Sequence, residues 1–234
     1  MNFSYQKNKP VLRDVSFTVE KGSRVAVVGP SGASKTTLVN LLMRFYDADS
    51  GNIYIDAQNT ADYTRDSVRT AFAMVLQETF LFHDTVRANI AYAKPEASEA
   101  EIIHAAKESY AHSFIKRLPQ GYDTVISAGG EELSAGQKQL LTIARAMLAD
   151  APMLILDEAT SNVDTLTEIK IQKAFDKMMH GKTAFVIAHR LSTIVESDVI
   201  LVMNHGDIVE VGTHRELLRQ GGLYSTLYYS QFEK

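Results

Sequence analysis

The chain has 234 residues, 45% hydrophobic and 22% charged, proportions that suit a globular protein with a sizeable core. Its 24 Lys and Arg against 28 Asp and Glu give a formal net charge of −4, with no run of five like charges, so no nucleic-acid partner is expected. It has no cysteine, which removes disulfides and thiolate metal sites, and no apolar run approaches the roughly 18–20 residues of a bilayer span.

The N-terminus, MNFSYQKNKP, lacks the apolar centre of a signal peptide. Val15–Val19 alternates with period two, as a half-buried strand does. Arg24–Gly29 is a continuous apolar run that predicts a strand buried on both faces. After a loop, Leu38, Leu41, Leu42 and Phe45 recur at helical spacing. From about Thr79 to Ala149 the pattern is mostly helical. There Ser98, with Glu101 three residues on, predicts a capping-box start, and Ser134 is placed to cap a helix over Leu133–Leu148. Three more apolar runs follow, Met153–Asp157, Thr183–Ala188 and Asp198–Met203, with helical patterns between them. The tail, YSTLYYSQFEK, reads as a terminal helix that only packs.

This order predicts an α/β protein with a mainly parallel sheet covered by helices. Residues 1–78 and 150–234 are expected to form one core, with 79–149 inserted as a helical subdomain, all within a single domain.

Three motifs carry chemistry. The first is Gly29-Pro30-Ser31-Gly32-Ala33-Ser34-Lys35-Thr36-Thr37, between a buried strand and a helix. Backbone N–H groups and a helix start face phosphates in such loops, a Lys neutralises their charge and the next hydroxyl binds Mg²⁺. Lys35 and Thr36 stand in those places, but Ser34 occupies the position of the second glycine. Without a Cβ, glycine lets the backbone approach phosphate, so Ser34 is expected either to crowd the site or to add a tolerated hydroxyl. The second motif is Asp157-Glu158, directly after a buried strand, where open α/β sheets bind ligands. Asp157 suits Mg²⁺, and Glu158 suits a general base that polarises the attacking water. The third is LSAGQ, in which Ser134, Gly136 and Gln137 open a helix whose N-terminus attracts anions.

Together these pieces resemble the nucleotide-binding domain of ABC transporters. LSAGQ is similar to that family's LSGGQ signature, with Ala135 for one glycine, and LILDEATSNVD to its Walker B motif and D-loop. Gln77 resembles the Q-loop glutamine, His189 the switch histidine and Tyr5 the aromatic that stacks on adenine. The motifs keep the family order along nearly the whole chain. The resemblance implies a P-loop NTPase (RecA-like) core with an antiparallel β edge subdomain. It implies ATP and Mg²⁺, the metal held by Thr36, Gln77 and Asp157, with Glu158, His189 and Gln77 catalytic.

It also implies two such domains meeting head to tail. ATP then lies between the loop of one and Ser134, Gly136 and Gln137 of the other, and Ser134 and Gly136 have no evident role within their own half. The partner would be a transmembrane domain at the cytoplasmic face of the membrane, contacted by the segment around Phe80–Ala88 and normally on the same chain. The sequence thus reads as a domain cut from a longer protein, most similar to multidrug-type half-transporters. Ala128 departs from that branch, which often carries an acidic residue there. A hydrolysis-poor regulatory half-site is the alternative that Ser34 raises.

Overall fold

The computed structural model describes residues 1–157, 163–188 and 191–232. The chain gathers into two compact units: Met1–Phe72 with Met153–Glu158 and Lys182–Lys234, and Ala73–Pro152 with Ala159–Gly181.

The first unit is built on a sheet. In spatial order its strands are Asp207–Gly212, Val199–Asn204, Arg24–Val28, Thr183–Ile187 and Met153–Asp157. The last four are mutually parallel, with Val25 opposite both Phe185 and Val199, and Leu154 opposite Ala184. Continuous apolar runs made these strands legible, and Val25, Ala26, Leu154–Leu156 and Ile200–Met203 are indeed closed to solvent. Asp207–Gly212 joins antiparallel at the edge, where Val209 and Val211 face water. A small antiparallel hairpin, Tyr54–Ile55 with Gln58–Asn59, and the bridges Asn2–Ser50 and Phe3–Leu12 supply the expected antiparallel β part.

Two local readings need correction. Val15–Val19 forms no strand. Its burial does alternate, with Val15 inside and Ser16 and Thr18 outside, but alternation reports which way side chains face, not whether the backbone has a ladder partner. Phe45 does not continue a helical stripe either. The helix ends at Leu42, Arg44 turns the chain at φ +51°, and Phe45 lies beyond it under the Arg69 guanidinium, 5.1 Å from the ring centre.

The terminal helix Leu223–Phe232 packs Tyr224 into a cluster with Ala26, Val28, Ile194 and Val202. Burial pushes the Tyr224 hydroxyl up to about 12, and its oxygen pairs with His214 Nδ1 at 2.7 Å.

The second unit is mainly helical: Val86–Ala91, Glu99–Glu108, His112–Ile115, Ala135–Ala149 and Thr165–Met179. Ser98 and Glu101 form the expected capping box. Arg145, on the inner face of Ala135–Ala149, donates to Asn89 O at 2.8 Å, Asn89 Oδ1 at 3.1 Å and Phe80 O at 3.2 Å, and lies 5.5 Å from the rings of both Phe82 and Tyr92. Among the described residues, no helix is long and apolar enough to cross a membrane.

Candidate functional site

Strand Arg24–Val28 leads straight into the loop, and the loop into helix Lys35–Leu42. The strand is buried on both sides, so the loop emerges at the C-terminal edge of the sheet. Three of its residues hold positive φ: Gly29 at +154°, Gly32 at +78° and Ser34 at +73°. A Cβ on Gly29 would lie 2.2 Å from the Met203 carbonyl oxygen, so only glycine fits. Ser34 takes the left-handed conformation that glycine adopts freely and other L-residues adopt at a cost of roughly 1–2 kcal/mol. Its side chain makes no cap hydrogen bond in return. The carbonyl of Ser34 accepts from Leu38 N at 3.1 Å, which starts the helix. The N–H groups of Lys35, Thr36 and Thr37 therefore belong to a first turn, where helices have no internal acceptors.

The Lys35 ammonium donates to the carbonyls of Gly29 at 2.8 Å and Pro30 at 3.1 Å. Burial lowers its pKa from the ordinary value, and the charge of Asp157 opposes that shift. Asp157 ends its strand opposite Ile187, within the same unit as the loop. Ala33 is buried, while Ser31, Gly32 and Thr36 are open to solvent. A cavity of about 220 Å³ adjoins the loop, lined by Gly29, Ser31, Lys35, Ile194, Tyr224 and Tyr228. The terminal helix therefore reaches the loop instead of only packing, and its dense tyrosines were the signal for it.

Tyr5 stands in the same unit. Its hydroxyl donates to Thr37 Oγ1 at 3.3 Å and accepts from Asn40 Nδ2 at 3.3 Å. Its ring meets Tyr46 edge-on, with centroids 5.0 Å apart. Sequence reading passed over Asn40 and Tyr46. The spacing of Thr37 and Asn40, three residues apart on one helix, was the available clue.

Gln77, Ser134, Gly136 and Gln137 all lie in the second unit. Gln77 is exposed, just past strand Phe72–Val75. Ser134 caps Ala135–Ala149 in a reciprocal box. Its hydroxyl accepts from Gln137 N at 3.2 Å, and Gln137 Oε1 accepts from Ser134 N at 2.9 Å. Gly136 is buried, and a Cβ on it would lie 2.4 Å from Thr167 Cγ2 and 3.1 Å from Val163 Cγ1. Both residues thus have roles inside their own unit, contrary to the sequence reading. Glu158 and His189, with Ser161 and Asn162 of the expected D-loop, lie outside the described residues.

A strand–loop–helix with this loop, two strands from a carboxylate-ended strand of the same parallel array, is the geometry of a phosphate site. A family model described as ABC transporter matches residues 12–161. The chain belongs to the ABC transporter family. An uncharacterized ABC transporter ATP-binding protein of Bacillus subtilis is 52% identical over the whole chain, which covers 39% of that protein. A fatty acid ABC transporter ATP-binding/permease protein of Mycobacterium tuberculosis is 53% identical over 96% of the chain and 36% of its own length. A bacterial Atm1-family ABC exporter, solved with ATP bound, superposes with a TM-score of 0.92 at 46% identity, over all of this chain and 41% of that one. The chain thus spans about two fifths of these relatives. As an ABC ATPase domain it has the P-loop NTPase fold and belongs to an ATP-binding family.

Proposed function

We propose that this domain binds ATP with Mg²⁺, hydrolyses it, and so drives export of a substrate through a transmembrane domain at the cytoplasmic face of the membrane. The observation that carries the proposal is the loop: left-handed Gly29, Gly32 and Ser34 open onto a helix start that holds Lys35, with Asp157 in the same unit. The phosphates of ATP would lie along residues 29–37, Lys35 exchanging its two carbonyl acceptors for phosphate oxygens. Adenine would stack on the half-exposed Tyr5.

The donors available to the metal are a threonine hydroxyl, a glutamine and a single carboxylate, with no cluster of three metal-binding side chains among the described residues. Oxygen donors of that kind fit Mg²⁺, which keeps several waters and takes its other ligands from substrate phosphates. Thr36, Asp157 and Gln77 would hold it, and when bound it supplies charge neutralisation at the phosphates. Glu158 would act as general base on the attacking water, and His189 would donate to the γ-phosphate.

Two copies, or this domain and a related one, would close head to tail on the nucleotide. Ser134, Gly136 and Gln137 of the second would complete each site. The exposed Phe80 and the segment to Ala88 would transmit closure to the membrane partner. The relatives' naming as ATP-binding/permease proteins supports such a partner on the same chain.

Steady-state phosphate release from a protein that includes the transmembrane segment tests this. Glu158→Gln should lower turnover by about 10²-fold or more. Equal turnover in the two proteins would remove Glu158 from the mechanism. The left-handed Ser34 favours one other reading, a regulatory half-site that hydrolyses poorly. If Ser34→Gly leaves both ATP affinity and turnover unchanged, that second reading fails.

A further inference from the structure

Tyr5 is held more firmly than an exposed aromatic needs to be. Phe3, buried in the core, meets its ring edge-on at 4.8 Å and 84°, and Tyr46 meets it at 5.0 Å and 87°. Its hydroxyl is gripped from two positions on one helix, Thr37 and Asn40. Thr37 is itself buried in the first turn of Lys35–Leu42, so its oxygen has little freedom.

Tyr46 is fixed by the same element. It follows the helix through Arg44, whose backbone is left-handed at φ +51° and whose guanidinium is tied down on three sides. Arg44 Nε donates to Asp47 Oδ1 at 2.8 Å, and one terminal nitrogen donates to Thr60 O at 2.7 Å and to Tyr63 O at 2.5 Å. A pinned turn carries a pinned ring. The helix that begins at Lys35 therefore governs Tyr5 twice, through the hydroxyl near its start and the ring just past its end.

We propose that Asn40 and Tyr46 are positioning residues that set the plane of the Tyr5 ring and its distance from the phosphate loop, so that the base and the phosphates of a nucleotide are bound in one register. This rests on the nucleotide reading above and deepens it. The physical advantage is pre-organisation. A tyrosine free to change rotamer would lose that freedom on stacking, whereas a ring already fixed does not. The contact is made to the ring and hydroxyl of Tyr5, so its loss acts on the base and leaves the loop alone.

Binding of two probes to the full 234-residue chain, measured by calorimetry with Mg²⁺ present, separates these effects. One probe is ATP. The other is inorganic tripolyphosphate, which occupies the loop but has no base. Tyr46→Leu and Asn40→Leu are each expected to weaken ATP binding about threefold to tenfold, the range of one aromatic or hydrogen-bonded contact, with tripolyphosphate held within twofold. Tyr46→Phe keeps the ring and should bind ATP like the unmodified chain. Tyr5→Phe, which removes the hydroxyl and with it the bonds to both Thr37 and Asn40, should weaken ATP binding at least as much as Asn40→Leu. An equal loss for both probes would mean that these residues merely stabilise the fold, and it overturns the proposal, as does unchanged ATP affinity in both Leu variants. An unmodified chain that binds neither probe would instead overturn the nucleotide reading on which the proposal rests.

Discussion

Two helices in this chain start after a serine in a small-residue motif, and they start in opposite ways. Ser34 sits at φ +73° and ψ +24°, with no side-chain cap. Ser134 sits at φ −65° and ψ +157°, with its hydroxyl and the Gln137 amide closing a full capping box. The first backbone conformation is one that glycine takes freely, and the second is the extended one that a capping serine prefers. Serine thus stands in a glycine's place at one helix start and in its own place at the other. The two residues after Ser134 follow the same logic. Ala135 replaces a family glycine inside an ordinary helical turn, where a Cβ costs nothing, and Gly136 remains glycine where a Cβ would collide with Thr167. What matters at each motif position is the backbone angle and the space beside it, more than the letter.

The largest effect that could break this comparison is at Gly136. Its missing Cβ is the gap through which Ala135–Ala149 approaches Thr165–Met179. Gly136→Ala should destabilise the chain by about 1–3 kcal/mol in urea unfolding, the usual cost of overpacking, despite alanine's better helix propensity. The offending atom is Thr167 Cγ2, so Thr167→Ser in the same chain should recover most of the loss. A double variant no more stable than Gly136→Ala alone would place the need for glycine elsewhere.

Next in size are the two serines themselves. Ser134→Ala removes one cap and should cost about 1 kcal/mol. Ser34→Ala should be nearly neutral, because the hydroxyl makes no cap bond and the strain is in the backbone. Ser34→Gly relieves that strain but loosens the unfolded chain, so the net gain should be about 0.5–1 kcal/mol. Thermal unfolding of the three variants reads all of this at once. If Ser34→Ala costs as much as Ser134→Ala, the hydroxyl of Ser34 has a role the backbone argument misses.

These contrasts also show where the sequence was legible. The four parallel strands stood out because a strand covered on both faces is apolar along its buried length, as Met153–Asp157 is up to Leu156 and Val199–Asn204 up to Met203. The capping boxes at Ser98 and Ser134 were visible in part, since a cap is a local hydrogen bond between residues three apart. Ser34 was legible as the odd residue of its loop, though not the sign of its φ. The packing of Gly136 on Val163 and Thr167 was not legible, nor was the grip of Asn40 and Tyr46 on Tyr5, because each joins residues far apart in the chain. Val15–Val19 shows the converse failure, a correct facing pattern without the ladder it suggested.

The smallest effect sharpens the comparison most. Ala135 is exposed, in the first turn of its helix, with no left-handed backbone to justify a glycine. Ala135→Gly restores the family's usual signature but frees the unfolded chain, so within this domain it should cost a few tenths of a kcal/mol, up to about 0.5. Stability alone therefore gives no reason for a glycine at this position. If the head-to-tail arrangement proposed above is right, any reason lies outside the domain, in the room a bound nucleotide or a second copy needs over the exposed helix start. Phosphate release distinguishes the two. Turnover unchanged by Ala135→Gly means that the extra methyl is accommodated in the closed site. Turnover that rises while stability falls would mean that Ala135, like Ser34, sits where a glycine would serve the site better, this time for space and not for backbone angle.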